Sequence, residues 1–309
     1  MDQGVNWPVK SREMRNFCMD STYWNEFEYR DDDIIVATWA KSGTTWVQQI
    51  IAQFVFEGEI DGLPIADMSP WLDFRLPPLE VKLPEIEAQV HRRFLKTHLP
   101  LDAYVFSPKV KYVYIARDGR DCCWSMYNHH ASMLDWVYEE FNKLPNFGPV
   151  ATPPKTDDLY EYYMDWFVND GAPFWPFWEN IRTWWEARNL PNVHFIHYQN
   201  LKDDMEGEMQ KIGEFLGYDV NGLKKSTWDK MVLQCTFDYM KENATLSTPL
   251  GGDMFSGGAT SFVNKGTNQR WKDTLSNTDC DVYEARALAE LGSECAHWLA
   301  TGEFLSHAR

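Results

Sequence analysis

The chain has 309 residues, 44% of them hydrophobic, with 15 Trp, 18 Phe and a formal net charge of −17. That much apolar and aromatic material excludes general disorder, and the acidic balance argues against a general nucleic-acid or anionic-membrane partner. No apolar run approaches the ~20 residues of a membrane span. The start of the chain (Asp2, Lys10, Arg12, Glu13, Arg15) lacks the apolar core of a signal peptide, so the expectation is a cytoplasmic protein.

The first element is a β-branched run, Ile34–Thr38, read as a strand. A small-residue loop comes next (Ala40, Lys41, Ser42, Gly43, Thr44, Thr45). Trp46, Val47, Ile50, Ile51, Phe54 and Val55 then recur at the period of one helix face. A strand entering a helix through a Lys/Ser/Gly/Thr/Thr loop is a phosphate cradle. Backbone N–H groups, hydroxyls and the helix dipole converge on an anion, and Lys41 adds a full charge. The Gly-x-x-x-x-Gly-Lys-Ser/Thr pattern of nucleoside triphosphatases is absent, since Thr38, Trp39 and Ala40 precede Lys41.

A Pro-rich stretch (Pro64, Pro70, Pro77, Pro78, Pro84) leads to a second strand, Phe94–Lys96, and a third lies at Val110–Ala116. Helical character is read over Asp121–Glu140, Phe177–Arg188, Met205–Leu216 (ending at Gly217) and 290–300, with a fourth strand at Val193–His197. Strands alternating with helices predict a single α/β domain over 1–309, a central parallel sheet flanked by helices. Ser247–Ser261, with Gly251, Gly252, Gly257 and Gly258, reads as a surface connection or a lid.

Each strand is succeeded at once by reactive residues: Lys41, Thr97-His98, Arg117 and Tyr198. Ligands of open parallel sheets bind at the carboxyl ends of strands. Cys18, Cys122, Cys123, Cys235, Cys280 and Cys295 have neither zinc-site nor disulfide spacing and read as reduced, buried thiols. His129 and His130 read as structural histidines of a helix. His194 and His197 face opposite sides of a strand, and Asp118 with Arg120 reads as a turn and its ion pair. Phe174–Trp185 reads as packing that borders a pocket.

An ordered set of segments resembles the sulfotransferases that use 3′-phosphoadenosine 5′-phosphosulfate (PAPS), in their cytosolic branch. The set is Lys41-Ser-Gly-Thr-Thr-Trp46, Leu95-Lys-Thr-His-Leu-Pro100, and Val113-Tyr-Ile-Ala-Arg-Asp-Gly-Arg-Asp121 running on to Ser125 and Tyr127. Thr183-Trp-Trp-Glu186, Tyr198, Phe237-Asp-Tyr-Met-Lys-Glu-Asn243, Lys265-Gly266 and Trp271-Lys272 complete it.

The resemblance implies that PAPS is the donor, 3′,5′-bisphosphoadenosine (PAP) the product, and no metal is needed. The 5′-phosphosulfate is expected on Lys41, Ser42, Gly43, Thr44 and Thr45, with Trp46 and Phe237 on the adenine and Tyr198 at the fourth strand end. Arg117, Ser125, Lys265 and Gly266 are expected at the 3′-phosphate. His98 is the expected general base, with Lys41 and Lys96 stabilising charge on the transferring group.

The acceptor is expected to be a small, aromatic or hydrophobic alcohol or amine, touching Trp71, Phe74, Tyr138 and Phe141. Departures from the family pattern are Ala40 for Pro, Cys235-Thr236 for Thr-Ser, Asn264 for Arg and Gln269 for Gly, with Arg270 as a replacement cation. The family's dimerisation motif is not recognisable after Lys272, so the oligomeric state stays open. The competing readings are a nucleotide-dependent phosphotransferase, a catalytically silent nucleotide-binding relative, and elimination through a transient sulfate ester.

Overall fold

The computed structural model describes residues 4–145 and 147–305; Asp2 and the far end of the expected 1–309 domain lie outside them. Four strands, β1 (Ile34–Ala37), β2 (Phe94–Thr97), β3 (Lys111–Ala116) and β4 (Val193–His197), form one parallel sheet in the order β2-β1-β3-β4. Side chains alternate across a strand, and the core is partitioned accordingly. Ile34, Val36, Phe94, Val113, Ile115 and Ile196 pack on one face with Ile50 of helix Thr44–Val55 and Ile212 of helix Met205–Leu216. Ile35, Ala37, Leu95, Tyr112, Tyr114 and Ala116 pack on the other with Trp124, Trp184 and Trp298 from helices Gly119–Ser132, Phe177–Glu186 and Asn277–Thr301.

The register sets the functional edge. Ala37 pairs with Thr97 and with Tyr114, and Ala116 pairs with His197. The residues just past the strands, Thr38, His98, Arg117 and Tyr198, therefore share one end of the sheet. β2 and β3 lie on opposite sides of β1, so the chain leaves that edge in two directions and opens a crevice.

The segment expected to be helical over Asp121–Glu140 is two helices, Gly119–Ser132 and Asp135–Lys143. Met133 and Leu134 between them are extended. Leu134 N–H donates to Met254 O at 3.0 Å and Ser256 N–H to Ser132 O at 2.7 Å. The Gly-rich segment after 247 is thereby pinned over the crevice. No described helix is long and apolar enough to cross a membrane.

Candidate active site

A cavity of about 1030 Å³ opens at the carboxyl edge of the sheet. Its lining includes Lys41, Gly43, Thr44, Thr45, Trp46, Lys96, His98, Arg117, Ser125, Tyr198, Phe237, Lys265 and Gly266. Trp71, Phe74 and Phe141 line it as well. Two expected residues do not. Ser42 is fully buried, and its hydroxyl lies under the loop 3.3 Å from the Cys122 thiol. Tyr138 donates its hydroxyl to His130 O at 2.7 Å, and that bond turns it into the core.

The loop after β1 is held in a conformation that explains its residues. Lys41 has φ 67° and Gly43 φ 112° at the N-cap of helix Thr44–Val55. A Cβ on Gly43 would stand 2.8 Å from the Tyr198 ring and 2.9 Å from Ile115, so only glycine fits there. The Lys41 ammonium lies 4.2 Å from the centre of the Phe262 ring, and that of Lys96 lies 5.8 Å from the Trp71 ring. Neither makes an ion pair with a carboxylate among the described residues. Burial, then the neighbouring charges of Lys96 and Arg117, lower Lys41 to about 7. Burial, against the opposing pull of Asp73, lowers Lys96 to about 8. Two desolvated ammonium groups, neither ion-paired with a carboxylate among the described residues, make a site that an anion stabilises.

His98 is buried. Its Nδ1 lies 2.9 Å from Thr38 O. A carbonyl only accepts, so Nδ1 carries the proton and Nε2 keeps its lone pair. The ring is wedged edge-on to Trp71 at 4.6 Å and stacked on Trp175 at 5.7 Å between centroids. Burial first, then Lys96, push its pKa down to about 3, so the imidazole is neutral throughout the neutral range.

Arg117 lines the same cavity and is also engaged by the chain itself. Its guanidinium donates to Asn268 Oδ1 (2.8 Å), Thr267 O (2.9 Å) and Lys41 O (3.2 Å), and its face covers Tyr198 at 4.4 Å. Three of five N–H donors are thus engaged with loops of the chain, which ties residues 267–268 to the loop after β1. Ser125 stands at the cavity wall on the helix after β3, and Arg270 lines the same end, its pKa lowered by burial and by Arg117. Trp46 donates Nε1–H to Cys235 O at 2.8 Å and meets Tyr198 edge-on. Thr236 spends its hydroxyl on Leu233 O at 2.7 Å. The Phe237 ring lies on Gly266, where a Cβ would come within 2.7 Å of it.

Gln269, at the position where a glycine was expected, has φ 65°. Its backbone N–H donates to Asp121 Oδ1 at 2.6 Å, a bond any residue could make. Gln269→Gly is expected to stabilise the chain by about 0.5–1 kcal/mol, the left-handed strain relieved less the added chain entropy. Equilibrium urea unfolding would check this, and a loss of stability would show that the φ value carries no strain.

Sequence patterns did not single out Phe17, Met254, Phe255 and Phe262, which line the cavity, and they assigned His129 to structure although His129 also lines it. Large aromatic residues inside a Gly-rich segment were the available signal, because an exposed loop has no use for Phe255 and Phe262. Two minor expectations, the Asp118–Arg120 ion pair and the opposed histidines of β4, agree with the geometry. Arg120 pairs with Asp118 at 2.7 Å, His197 packs toward Trp298 on one face, and His194 packs on Phe215 on the other. All six cysteines are free, and no cluster that could hold a metal occurs among the described residues.

The sequence matches the Sulfotransferase domain family over residues 31–291. It is 30% identical to sulfotransferase 1A1 of Rattus norvegicus over 270 residues, covering 84% of this chain and 85% of the relative. A glycolipid sulfotransferase of Mycobacterium bovis is 28% identical over 286 residues, with 86% of each covered. Among solved structures, mouse sulfotransferase SULT7A1 complexed with PAP superposes with TM-score 0.66 at 22% identity, covering 89% and 90% of the two chains. Retinol dehydratase complexed with retinol and PAP superposes with TM-score 0.69 at 20% identity, covering 87% and 83%. With its family match over most of its length and its phosphate-type loop, strand-end histidine and strand-end arginine in one crevice, the chain belongs to the sulfotransferase domain family.

Proposed function

We propose that this enzyme transfers the sulfuryl group of PAPS to a hydroxyl or amine of a small, largely apolar acceptor, with PAP as the other product. The observation that carries the reading is the convergence of Lys41, Lys96 and a neutral His98 at adjacent strand ends on one cavity. The residues fit the donor: the Gly43 cradle admits no side chain, and neither ammonium group forms an ion pair with a carboxylate among the described residues. Bound PAPS supplies an activated sulfuryl group. Sulfuryl transfer, like phosphoryl transfer, is mostly positioning and neutralisation of charge on the leaving oxygen.

In this reading Lys41, on the loop, neutralises the leaving bridging oxygen, and Lys96 holds the transferring group. Thr44 and Thr45 turn backbone N–H groups toward the 5′ end at the helix N-terminus. Nε2 of His98 takes the acceptor proton during in-line attack, while Thr38 O holds the ring in the right tautomer. Trp46 and Phe237 flank the adenine. Arg117, Ser125, Lys265 and Gly266 serve the 3′-phosphate, and Arg270 supplies the cation that Asn264 does not. The acceptor meets Trp71, Phe74 and Phe141, beside the Phe174–Trp175 wall.

A volume at the top of the range for a single ligand site leaves room for donor and acceptor together. The related structures that hold retinol or androsterone beside PAP are consistent with a ring-bearing apolar alcohol here. We place the reaction in the cytoplasm within one domain, a setting in which six unpaired thiols persist. Incubation with PAPS and a panel of phenols and alicyclic alcohols, with mass spectrometry of products, tests the reading. Sulfate esters and stoichiometric PAP are expected. ATP-dependent, magnesium-dependent phosphorylation in their place would overturn it, and an alkene product would identify elimination.

A further inference from the structure

His129 stands in the cavity wall one helical turn after Ser125, on the same face of helix Gly119–Ser132. Its surroundings are apolar: Phe255 lies at 5.0 Å and Phe262 at 5.7 Å between ring centroids. Phe262 is also the ring beneath the Lys41 ammonium, so a single aromatic ring separates His129 from the phosphate loop.

Two buried histidines hold a ring nitrogen on a backbone carbonyl of the chain. His98 bonds Thr38 O, and His130, next to His129 in the chain, bonds Thr152 O at 2.7 Å. His129 does not. Its Nδ1 is buried with no hydrogen-bond partner among the described residues, and Nε2 has none there either. His129 is half-buried: its unpaired Nδ1 is closed off at a cost in free energy, whereas Nε2 is the nitrogen left accessible at the cavity wall, where a ligand can supply the partner. Burial first, then Lys41, hold the ring neutral, so it offers one N–H donor and one nitrogen acceptor.

Resting on the sulfuryl-transfer reading above, we propose that His129 is a specificity-determining residue. It hydrogen-bonds a second polar group, a hydroxyl or carbonyl, on the same ring system whose hydroxyl is sulfated. The aromatic side chains beside it in the lining (Trp71, Phe74, Phe141, Trp175, Phe255) offer such a group little, so His129 selects difunctional rings over singly hydroxylated ones. A site built to bond a hydroxyl discriminates strongly against the analogue that lacks it, because its own polar atom is then left unpaired.

The test compares kcat/KM of the wild type, His129→Phe and His129→Asn for 2-naphthol, 2,3-dihydroxynaphthalene and 2,6-dihydroxynaphthalene, with PAP affinity measured by calorimetry in parallel. The wild type should favour at least one diol over 2-naphthol by about tenfold or more, corrected for the number of hydroxyls. His129→Phe should lose that preference, with the loss carried by KM for the diol. His129→Asn, which keeps a donor and an acceptor, should retain part of it. Equal selectivity in wild type and His129→Phe would overturn the proposal, as would a wild type that binds PAP but shows no diol preference. A uniform fall for all three acceptors in His129→Phe would make the residue structural. A wild type that does not bind PAP would sink the donor assignment, and this inference with it.

Discussion

Replacing His98 with alanine is expected to lower kcat by about 10²- to 10⁴-fold, the usual worth of a general base, while PAP affinity changes little. The reasoning starts from the tautomer. Thr38 O fixes the proton on Nδ1, and the indoles of Trp71 and Trp175 fix the plane of the ring, so Nε2 is presented as a base with almost no freedom to misalign. The alcohol must lose its proton as its oxygen attacks sulfur, and of the two histidines that line the cavity, His98 and His129, only His98 has its ring held on a backbone carbonyl. The variant should lose kcat and kcat/KM together, the pattern of an interaction made in the transition state. Alanine also leaves a void between two indoles, so His98→Gln is the companion variant: it fills the space without supplying a comparable base. Loss in both variants with PAP affinity retained supports the role. Near-full activity in His98→Gln would show that the acceptor proton leaves by another route, and the mechanism proposed here would be wrong.

The site was legible in the sequence where residues act through the backbone, and hidden where they act through distant packing. Strand ends are local. Ile34–Thr38 and Val193–His197 announce themselves by composition, and the residues just beyond them (Lys41, Tyr198) are read off directly. Helix Met205–Leu216 is bounded by Asp204, which accepts from Gly207 N–H, and by Gly217 at φ 91°, both of which are sequence-visible caps. Three facts had no local signature. The break at Met133–Leu134 depends on Met254 and Ser256, more than 100 positions away, whose backbone groups compete with continuation of the helix.

Tyr138 lies on the helix that supplies Phe141 to the cavity, yet its hydroxyl finds His130 O. Period alone cannot tell a wall residue from one that satisfies a buried carbonyl. The Arg117 guanidinium is held by Thr267 and Asn268, which fold back onto it in a tertiary contact spanning about 150 residues. His129 was the most consequential omission. Next to His130 it looked structural, and only the cavity distinguishes the ring that is satisfied from the ring that is not.

The second large effect is expected at Lys41. Lys41→Met should lower kcat by about 10²- to 10³-fold, the scale of removing one preorganised group that stabilises developing charge. Methionine keeps an apolar stem against Phe262, so the loop need not collapse. A pH series separates charge from shape. In the ligand-free enzyme Lys41 is lowered to about 7 and Lys96 to about 8, chiefly by burial. Only the protonated amines attract a phosphate, and a bound anion raises both values. Below about pH 7 both are already charged and binding requires no proton. As pH rises through about 7 and then about 8, each must be protonated on binding, so PAP affinity falls and proton uptake appears.

Calorimetry in buffers of different ionisation enthalpy reads that uptake directly. The phosphates of PAP do not mimic it, since their second ionisation lies near pH 6 and binding to cations would make them release protons, the opposite sign. In Lys41→Met the uptake near pH 7 should disappear, leaving only the part due to Lys96 near pH 8. If proton uptake is the same in wild type and variant, Lys41 does not face the bound phosphate, and the cradle serves another group.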